Sequence, residues 1–270
     1  MHSRGARLMK LQLRVCIDAS RISDGRPVML KRLPDEEGPY ELQINRLFST
    51  EPLSSDSRNR CARLLDVIQL PNDEPIMVHA LLRPFDNPPL RTYGEFVTFF
   101  AQICEVRHCP WCGLNRSSHK GVHFMHSNHV AHRYFRSTHT FPNCFFVTFF
   151  HRDCTRLNIM LDPTNMYPDS FHPVDMSRSK DFRHKVKGYS RTRRPTRYLL
   201  IDFGLSRRYD PADGPPLEEP LHGGDSTAPE HQDGKTPCNP FPTDVYYLGN
   251  LVRRYYIQVR EFNLFNGIPS

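Results

Sequence analysis

The sequence predicts an α+β fold with two lobes, a small β-rich N-terminal lobe and a larger, mainly helical C-terminal lobe. Three observations predict it. Alternating apolar runs separated by turn residues occur in the first 83 positions and are typical of a small antiparallel sheet. Three prolines between Arg83 and Pro89 indicate a hinge. From Thr92 onward, apolar residues follow helical spacing.

Local patterns define the N-terminal elements. Apolar runs from Leu11 to Ile17 and from Val28 to Leu33 flank the turn sequence Ser23-Asp24-Gly25-Arg26, which predicts a β-hairpin. Apolar residues then recur at helical spacing and predict one helix from about Pro39 to Phe48. We assign residues 1–83 to the N-lobe and residues 84–270 to the C-lobe. The C-lobe opens with the helical pattern that follows Thr92.

Composition restricts the class of protein. At 270 residues and 38% apolar content, the chain can bury the core of one large lobe or two small ones. No stretch approaches the ~18 apolar residues of a membrane helix, and no basic segment followed by an apolar run opens the chain. Eight cysteines without a regular framework indicate a reducing compartment. We therefore expect an intracellular protein, cytoplasmic or nuclear, with no membrane partner.

Four short motifs occur in a characteristic order. The first is His151-Arg152-Asp153 with Asn158 five residues after the aspartate. Asp202-Phe203-Gly204 comes next, then Ala228-Pro229-Glu230, then the run from Asp244 to Gly249. Together they resemble the catalytic loop, the metal-binding loop and the later signatures of the protein kinase superfamily. The resemblance extends from about Val15 to Tyr255 and implies a protein-kinase-like bilobal fold.

The resemblance implies a role for each motif residue. Phosphoryl transfer depends mostly on positioning and on neutralising phosphate charge. Asp153 would accept or orient the proton of a substrate hydroxyl. Asn158 and Asp202 would hold Mg²⁺ against the phosphates of ATP, because amide and carboxylate oxygens are ligands for that cation. Gly204 permits the sharp turn that such a loop requires.

A lysine upstream fits the same pattern. Val28-Met29-Leu30-Lys31 resembles the strand whose lysine contacts the α and β phosphates of ATP. That role requires a carboxylate from the next helix to hold the lysine. Glu41 is the candidate, because the residues around it follow helical spacing, and Glu37 is the alternative. A surface lysine and a solvated glutamate remain the simpler interpretation of this pair.

The residues in and around the motifs indicate a narrower group within this superfamily. The phrases at 24–31, 81–88 and 158–162 are similar to a group of fungal protein-kinase-like proteins. This resemblance implies a transferase that depends on ATP and Mg²⁺ and phosphorylates serine or threonine of a protein substrate. The sequence does not identify that substrate.

Two departures from the kinase pattern predict impaired activity. Gly5 is the only glycine in the first 24 residues, so the Gly-rich loop that normally folds over the phosphates is expected to be absent. Thr155 stands two places after Asp153, where serine/threonine kinases usually carry a lysine. The adjacent Arg156 is a doubtful substitute for it.

The resemblance also predicts a chain truncated at both ends. Kinases have further C-lobe helices beyond the position of Ser270. Without them, the helix that begins near Asp244 should expose apolar surface around Val245, Leu248 and Leu251.

Two inserts are expected in the centre of the chain. His132-Arg133 already resembles the entry to a catalytic loop, and His151-Arg152 repeats it nineteen residues later. Deleting residues 134–152 joins Arg133 to Asp153 and gives a sequence that resembles the kinase catalytic loop more closely. Deleting residues 106–120 likewise joins Glu105 to Gly121 and restores one continuous helical pattern.

We interpret both inserts as retained introns. The segment Phe145 to Arg152 can be encoded by a pyrimidine-rich tract that resembles an intron acceptor. The alternative is a real insertion in which Phe149-Phe150 form the strand before His151.

The first insert contains a cysteine pair with the spacing of a zinc site. Cys109 and Cys112 have the spacing of a zinc knuckle, and several histidines lie nearby. Only one such cysteine pair is present, and the later histidines fall on an expected core helix. The sequence therefore favours no structural zinc.

The positive charge is local. Eleven Lys or Arg and two Asp lie between Arg178 and Arg208, a net charge of +9 in a chain whose total is +7. Residues from about 175 to 197 form a basic insert, because Asn158 and Asp202 are 44 positions apart where kinases need only a short hairpin. We expect a solvated, partly disordered insert that makes weak, unspecific contact with nucleic acid.

Two further function classes remain open from the sequence alone. The first is a pseudokinase or scaffold that binds a partner and transfers nothing. The second is a basic nucleic-acid-binding module in which the run from Arg178 to Arg208 is the functional surface.

Overall fold

The computed structural model describes residues 16–33, 40–70, 74–104, 120–133, 158–220, 227–233 and 235–253. Several predicted features lie outside the described residues. These are the expected loss of the Gly-rich loop before residue 16, Glu37, the Cys109 and Cys112 pair, Phe149-Phe150, and the segment from His151 to Leu157, which includes Asp153, Thr155 and Arg156.

The described chain begins with a four-stranded antiparallel sheet in the order β1-β2-β4-β3. Its strands are β1 (Cys16–Ser20), β2 (Pro27–Arg32), β3 (Leu64–Gln69) and β4 (Pro75–Ala80). The predicted hairpin joins β1 to β2, although β1 extends to Ser20 rather than ending at Ile17. Gly25 adopts a φ of +66° in this turn, a conformation that glycine allows without steric cost.

Helix α1 (Glu41–Ser49) is the helix predicted between Pro39 and Phe48. Its buried face includes Ile44 and Phe48, which belong to the central hydrophobic core. Glu41 is in the first turn, where a carboxylate is favoured by the partial positive charge of the helix N-terminus. The register of α1 therefore places an acidic side chain against the sheet.

A three-stranded sheet and two helices follow. The sheet has the order β5-β7-β8, with β5 (Arg83–Pro84), β7 (Ile159–Leu161) and β8 (Tyr198–Leu200). Helix α2 (Tyr93–Ile103) begins at Thr92, whose hydroxyl accepts a hydrogen bond from the backbone of Glu95. Helix α3 (Val122–Ser127) comes next.

An aromatic cluster joins α2 to this sheet. Phe99 stacks on Phe85 with ring centroids 4.7 Å apart and meets the edge of Tyr198 at 4.9 Å. All three side chains are at most 1% exposed. Aromatic pairs of this kind stabilise the fold beyond the area that they bury.

The last described elements are β6 (Val130–Ala131), β9 (Arg207–Arg208) and α4 (Pro240–Val252). Strands β6 and β9 form a two-stranded antiparallel pair. The expected apolar exposure on α4 is wrong for two of three residues. Val245 is 59% exposed, but Leu248 and Leu251 are 5% and 1% exposed. The reason is that α4 turns these two leucines toward the core that contains α3 and β6.

The basic insert differs from the partly disordered segment expected from its composition. It folds through backbone hydrogen bonds such as Tyr189 N to Met166 O and packs against the hinge. The guanidinium of Arg83 lies 4.3 Å and 4.5 Å from the ring centroids of Tyr167 and Phe171. These cation–π contacts fix the segment directly before the insert. The hydrogen bond from Tyr189 to Met166 joins the insert to that segment, so its contacts give it an order that its charge content does not indicate.

Further contacts hold this insert at both ends of the hinge. Arg191 donates to the carbonyl oxygens of Phe85 and Pro89 at 2.6 Å and 3.1 Å. Lys180 donates to the carbonyl oxygen of Gly25, in the turn between β1 and β2, at 3.0 Å. The insert therefore contacts the N-terminal sheet as well as the hinge.

Two other sequence expectations concern the compartment. The helices in the described part of the chain are all too short or too polar to span a lipid bilayer. No disulfide joins the cysteines within that part, which are Cys16, Cys61, Cys104 and Cys238.

His79 on β4 makes the stability of the fold depend on pH. Burial lowers its pKa to about 4, against the partial opposition of a hydrogen bond with the carbonyl of Arg63, and nearby Lys31 lowers it further. Between pH 6.5 and 4 the unfolded chain binds a proton at this histidine and the native chain does not. The free energy of unfolding should therefore fall by about 2 to 3 kcal/mol from this group as the pH falls.

Urea unfolding at pH 7.5 and pH 4.5 measures this loss. His79→Gln should lose less stability than the parent between the two pH values, and His184→Gln, at an exposed position, should lose as much as the parent. Equal losses in all three proteins would contradict the assignment.

Candidate active site

Three side chains from distant parts of the sequence meet in one ionic cluster. Lys31 is on β2, Glu41 is in the first turn of α1, and Asp202 follows the end of β8. The Lys31 Nζ atom lies 2.5 Å from Glu41 Oε1 and 2.7 Å from Asp202 Oδ1. Glu41 is the carboxylate next to Lys31, whereas Glu37 lies outside the described residues. The simpler interpretation of a surface lysine does not fit, since its side chain is only 14% exposed.

The electrostatics of the cluster keep Lys31 charged. Burial disfavours the ammonium, but the carboxylates of Asp202 and Glu41 outweigh it and raise the pKa of Lys31 above its usual value. The Glu41 side chain is 2% exposed and that of Asp202 is 27% exposed. Asp202 is therefore the carboxylate of the pair that remains accessible to a ligand.

The backbone presents Asp202 in an unusual way. Its φ is +60°, a left-handed conformation that is uncommon for residues other than glycine and is tolerated best by Asn and Asp. This turn directs the chain away from β8 immediately after the apolar strand. Strained or rare backbone conformations concentrate at functional sites, so this one marks Asp202 as a candidate.

Asn158 lies beside the same strand end. It precedes β7, and its carbonyl oxygen accepts a hydrogen bond from the backbone of Ile201 at 3.0 Å. The β7–β8 pairing therefore places Asn158 opposite the residue before Asp202. A carboxylate and an amide oxygen are suitable ligands for Mg²⁺, which also takes oxygens from water and phosphate.

These two residues do not form a complete protein cage for a metal. Within the described ranges, no group of three or more His, Cys, Asp or Glu side chains could hold a metal ion. A site built from Asn158 and Asp202 would suit a cation that arrives together with a phosphate ligand.

A buried aspartate fixes the turn that follows β6. The Asp244 carboxylate, on α4, is 0% exposed and accepts hydrogen bonds from the backbone of His132 at 2.7 Å and of Arg133 at 2.8 Å. It also accepts one from His126 Nε2 at 2.9 Å. Three donors on one buried carboxylate satisfy a charge that would otherwise be costly to bury.

His132 connects this turn to the Asp202 strand. Its Nε2 atom donates to the carbonyl oxygen of Ile201 at 3.1 Å. Its own carbonyl accepts from the hydroxyl of Ser206 at 2.9 Å. Burial lowers the pKa of His132, against the opposing effects of Asp244 and Asp202. The imidazole is therefore a neutral structural link rather than a titrating group near neutral pH.

The structure thus gives a defined place to the first of the two His-Arg pairs. His132-Arg133 lies between Asp244 and Ile201, while the second pair, His151-Arg152, falls outside the described residues together with Asp153. The candidate general base is not placed. The two ends of the intervening segment are placed, with Arg133 anchored to Asp244 and Asn158 paired with Ile201.

Glu218 anchors the segment that follows Asp202. The Arg133 guanidinium, with a side chain 8% exposed, lies 2.8 Å from Glu218 Oε2 and donates to the carbonyl of Leu205. The Tyr209 hydroxyl donates to Glu218 Oε1 at 3.0 Å. One carboxylate therefore holds residues from both ends of the 203–220 segment against the turn after β6.

Sequence reasoning missed two of these anchors. The sequence places Asp244 in a helix motif. It does not indicate that the carboxylate is buried and accepts hydrogen bonds from three donors. Glu218 carries no motif, and its partner Arg133 is 85 residues away. Such pairs form only when the tertiary fold brings their segments together.

No family model matches the chain, and no curated protein matches its sequence. Among solved structures, the crystal structure of the yeast RNA Pol II CTD kinase CTDK-1 complex is similar over 78% of this chain, with 13% identity and a TM-score of 0.37. This chain spans half the length of the matched chain. A small antiparallel sheet followed by helices is compatible with a kinase-like fold.

Glu218→Gln should loosen the 203–220 segment. The change keeps the side-chain volume but leaves the buried Arg133 guanidinium without its counter-charge. We expect trypsin to cleave after Arg207 or Arg208 roughly fivefold faster or more, since a loss of about 1 kcal/mol in local stability has that effect.

Cleavage is followed by mass spectrometry and normalised to cleavage after Lys185, in the basic insert. Glu219→Gln, at the adjacent exposed position, is the matched control and should leave the rate unchanged. An equal acceleration in both variants would show that Glu218 is not the anchor.

Proposed function

We propose that the chain is a protein kinase domain that binds ATP with Mg²⁺ and transfers phosphate to serine or threonine of a protein. The observation that supports this most is the Lys31 ammonium held between Glu41 and Asp202. A lysine fixed by a helix carboxylate next to a metal-binding aspartate is the arrangement that phosphoryl transfer by kinases requires.

Each member of the cluster has a distinct proposed role. Lys31 would neutralise charge on the α and β phosphates, and Glu41 would keep its ammonium in position. Asp202 would exchange its contact with Lys31 for Mg²⁺, with Asn158 as a second ligand. Mg²⁺ would supply charge neutralisation across the phosphates when ATP is bound.

Asp153 is the proposed residue for the substrate hydroxyl. It is five residues before Asn158 in the sequence, and Asn158 is close to Asp202 through the β7–β8 pairing. Removing residues 134–152 would connect Arg133, anchored on Asp244, to Asp153 directly. The link between the anchored residues Arg133 and Asn158 would then be the five residues 153–157, as in an uninterrupted catalytic loop.

A scaffold that binds a partner without catalysis is the second candidate. The direct contact between Lys31 and Asp202 favours it, because both groups are mutually neutralised and a ligand must displace this pair. The 24 residues between Arg133 and Asn158 also separate groups that catalysis needs close together. The basic nucleic-acid-binding module is less favoured, since the insert makes ordered contacts with the hinge.

Binding of Mg-ATP tests the assigned site. We expect weak binding to the full chain, measured by calorimetry and by the thermal shift relative to each variant's own baseline. Lys31→Ala and Asp202→Ala should each weaken binding by roughly tenfold or more, because each removes a charge-assisted contact. Lys187→Ala and Asp169→Ala, at exposed positions, are matched controls. Binding that is unaffected by the first two changes would reject the site.

Catalysis is tested by removing the interruptions. The full chain should transfer little or no phosphate in a radiolabelled-ATP assay, because misplaced catalytic groups can each cost ~10²-fold in rate. A variant without residues 106–120 and 134–152 should gain transfer that Asp153→Asn abolishes. Robust transfer by the full chain, lost on Asp153→Asn, would show that the interruptions do not matter. No transfer by either protein, with Mg-ATP binding intact, would favour the scaffold.

A further inference from the structure

An arginine lies almost buried between α1 and β8 without a partner. Arg60 is 8% exposed, and its Nε atom is buried with no hydrogen-bond acceptor. Its guanidinium makes no ion pair within the described part of the chain. Arginine cannot lose its proton in a protein, so a nearly buried arginine whose Nε has no acceptor is an energetic liability that needs an explanation.

The backbone around Arg60 is held firmly. The Arg60 carbonyl accepts from the backbone of Leu200 at 2.6 Å, and the Ala62 backbone donates to the Leu200 carbonyl at 2.8 Å. The Asn59 side-chain amide donates to the carbonyls of Phe48 and Leu53 at 2.8 Å and 2.9 Å. The segment is therefore fixed to α1 on one side and to β8 on the other, which gives Arg60 little freedom to leave.

A second cation is adjacent. Arg197, which directly precedes β8, extends its Nη2 atom to within 3.4 Å of the Asn59 carbonyl oxygen. Burial lowers the pKa of Arg60, and the nearby charge of Arg197 lowers it further. Two like charges thus approach each other where one is already desolvated.

The neighbouring carboxylates are engaged elsewhere. Segment 50–62 contains two acidic residues, Glu51 and Asp56. Asp56 pairs with Arg58, with Oδ2 2.7 Å from Nη2. Glu51 accepts hydrogen bonds from the hydroxyls of Ser54 and Ser55, both at 2.5 Å. The charge of Arg60 is therefore not balanced by its own segment.

We propose that Arg60 and Arg197 form a binding site for a small phosphate anion. A phosphate offers several acceptor oxygens and up to two negative charges, which suits two planar guanidinium groups better than a single carboxylate does. Arg60 supplies a rigid, desolvated donor, and the exposed Arg197 closes over the ligand from the surface. This site is separate from the Lys31 cluster and does not depend on the proposed catalytic function.

Inorganic phosphate is the probe, titrated into the full chain by calorimetry at constant ionic strength. Arg60→Met and Arg197→Gln should each weaken phosphate binding by roughly tenfold or more. Arg197 is exposed, so its replacement tests the site even if Arg60→Met fails to fold. Arg193→Gln and Lys187→Ala each remove an exposed cation of the basic insert. Both controls should retain binding.

Stability gives an independent readout. In phosphate-free buffer, Arg60→Met should unfold at the same or higher urea concentration than the parent, because an unpaired buried charge is replaced by an apolar chain of similar length. Marked destabilisation would show that Arg60 already has a partner in the protein and would overturn the proposal. Equal loss of phosphate binding in all four variants, or no loss in any, would overturn it as well.

The source of the phosphate is distinguished by a second titration. Tighter binding of O-phosphoserine than of inorganic phosphate would identify a phosphorylated side chain as the ligand, and the reverse would identify free phosphate. Either order supports the site if Arg60→Met and Arg197→Gln weaken both ligands. Acetate that binds as well as phosphate would contradict the choice of ligand class.

Discussion

The ion pairs of Lys31 connect the N-terminal sheet, helix α1 and the end of β8. A buried ammonium requires compensation, and Glu41 and Asp202 provide it from opposite sides. Removing either carboxylate would leave Lys31 with a single counter-charge and would release one of the elements that the cluster joins. The position of α1 relative to β2 and the left-handed turn at Asp202 are therefore linked through a single side chain.

A second polar anchor works in the same way on the helical side. Asp244 binds the turn after β6, and that turn holds Ile201 through His132 and Glu218 through Arg133. The strand that leads to Asp202 is thus fixed from both directions. Apolar packing brings the elements together, and these few buried charges specify how they are oriented.

The sequence predicted what depends on local pattern. The β1–β2 hairpin, helix α1 and the helix after Thr92 follow from periodicity and turn residues. The pairing of Lys31 with Glu41 was implied by the resemblance to kinases, with Glu37 as the alternative. It did not predict the ordered insert, because the hydrogen bonds of Arg191 with the carbonyls of Phe85 and Pro89 join segments more than 100 residues apart. The exposure expected of Leu248 and Leu251 came from the resemblance to kinases, and it is wrong because α4 packs both side chains against α3 and β6. Residues such as Glu218 become functional candidates only when three-dimensional neighbours are known.

The contact between Lys180 and the Gly25 carbonyl restricts how far the N-terminal sheet can move relative to the basic insert. It lies across the hinge from the insert to the β-hairpin, so a rotation of the sheet away from the helices must stretch it. A hydrogen bond from a charged donor contributes about 1 kcal/mol or somewhat more. That amount shifts the ratio of molecules with and without this contact several-fold and locks neither arrangement.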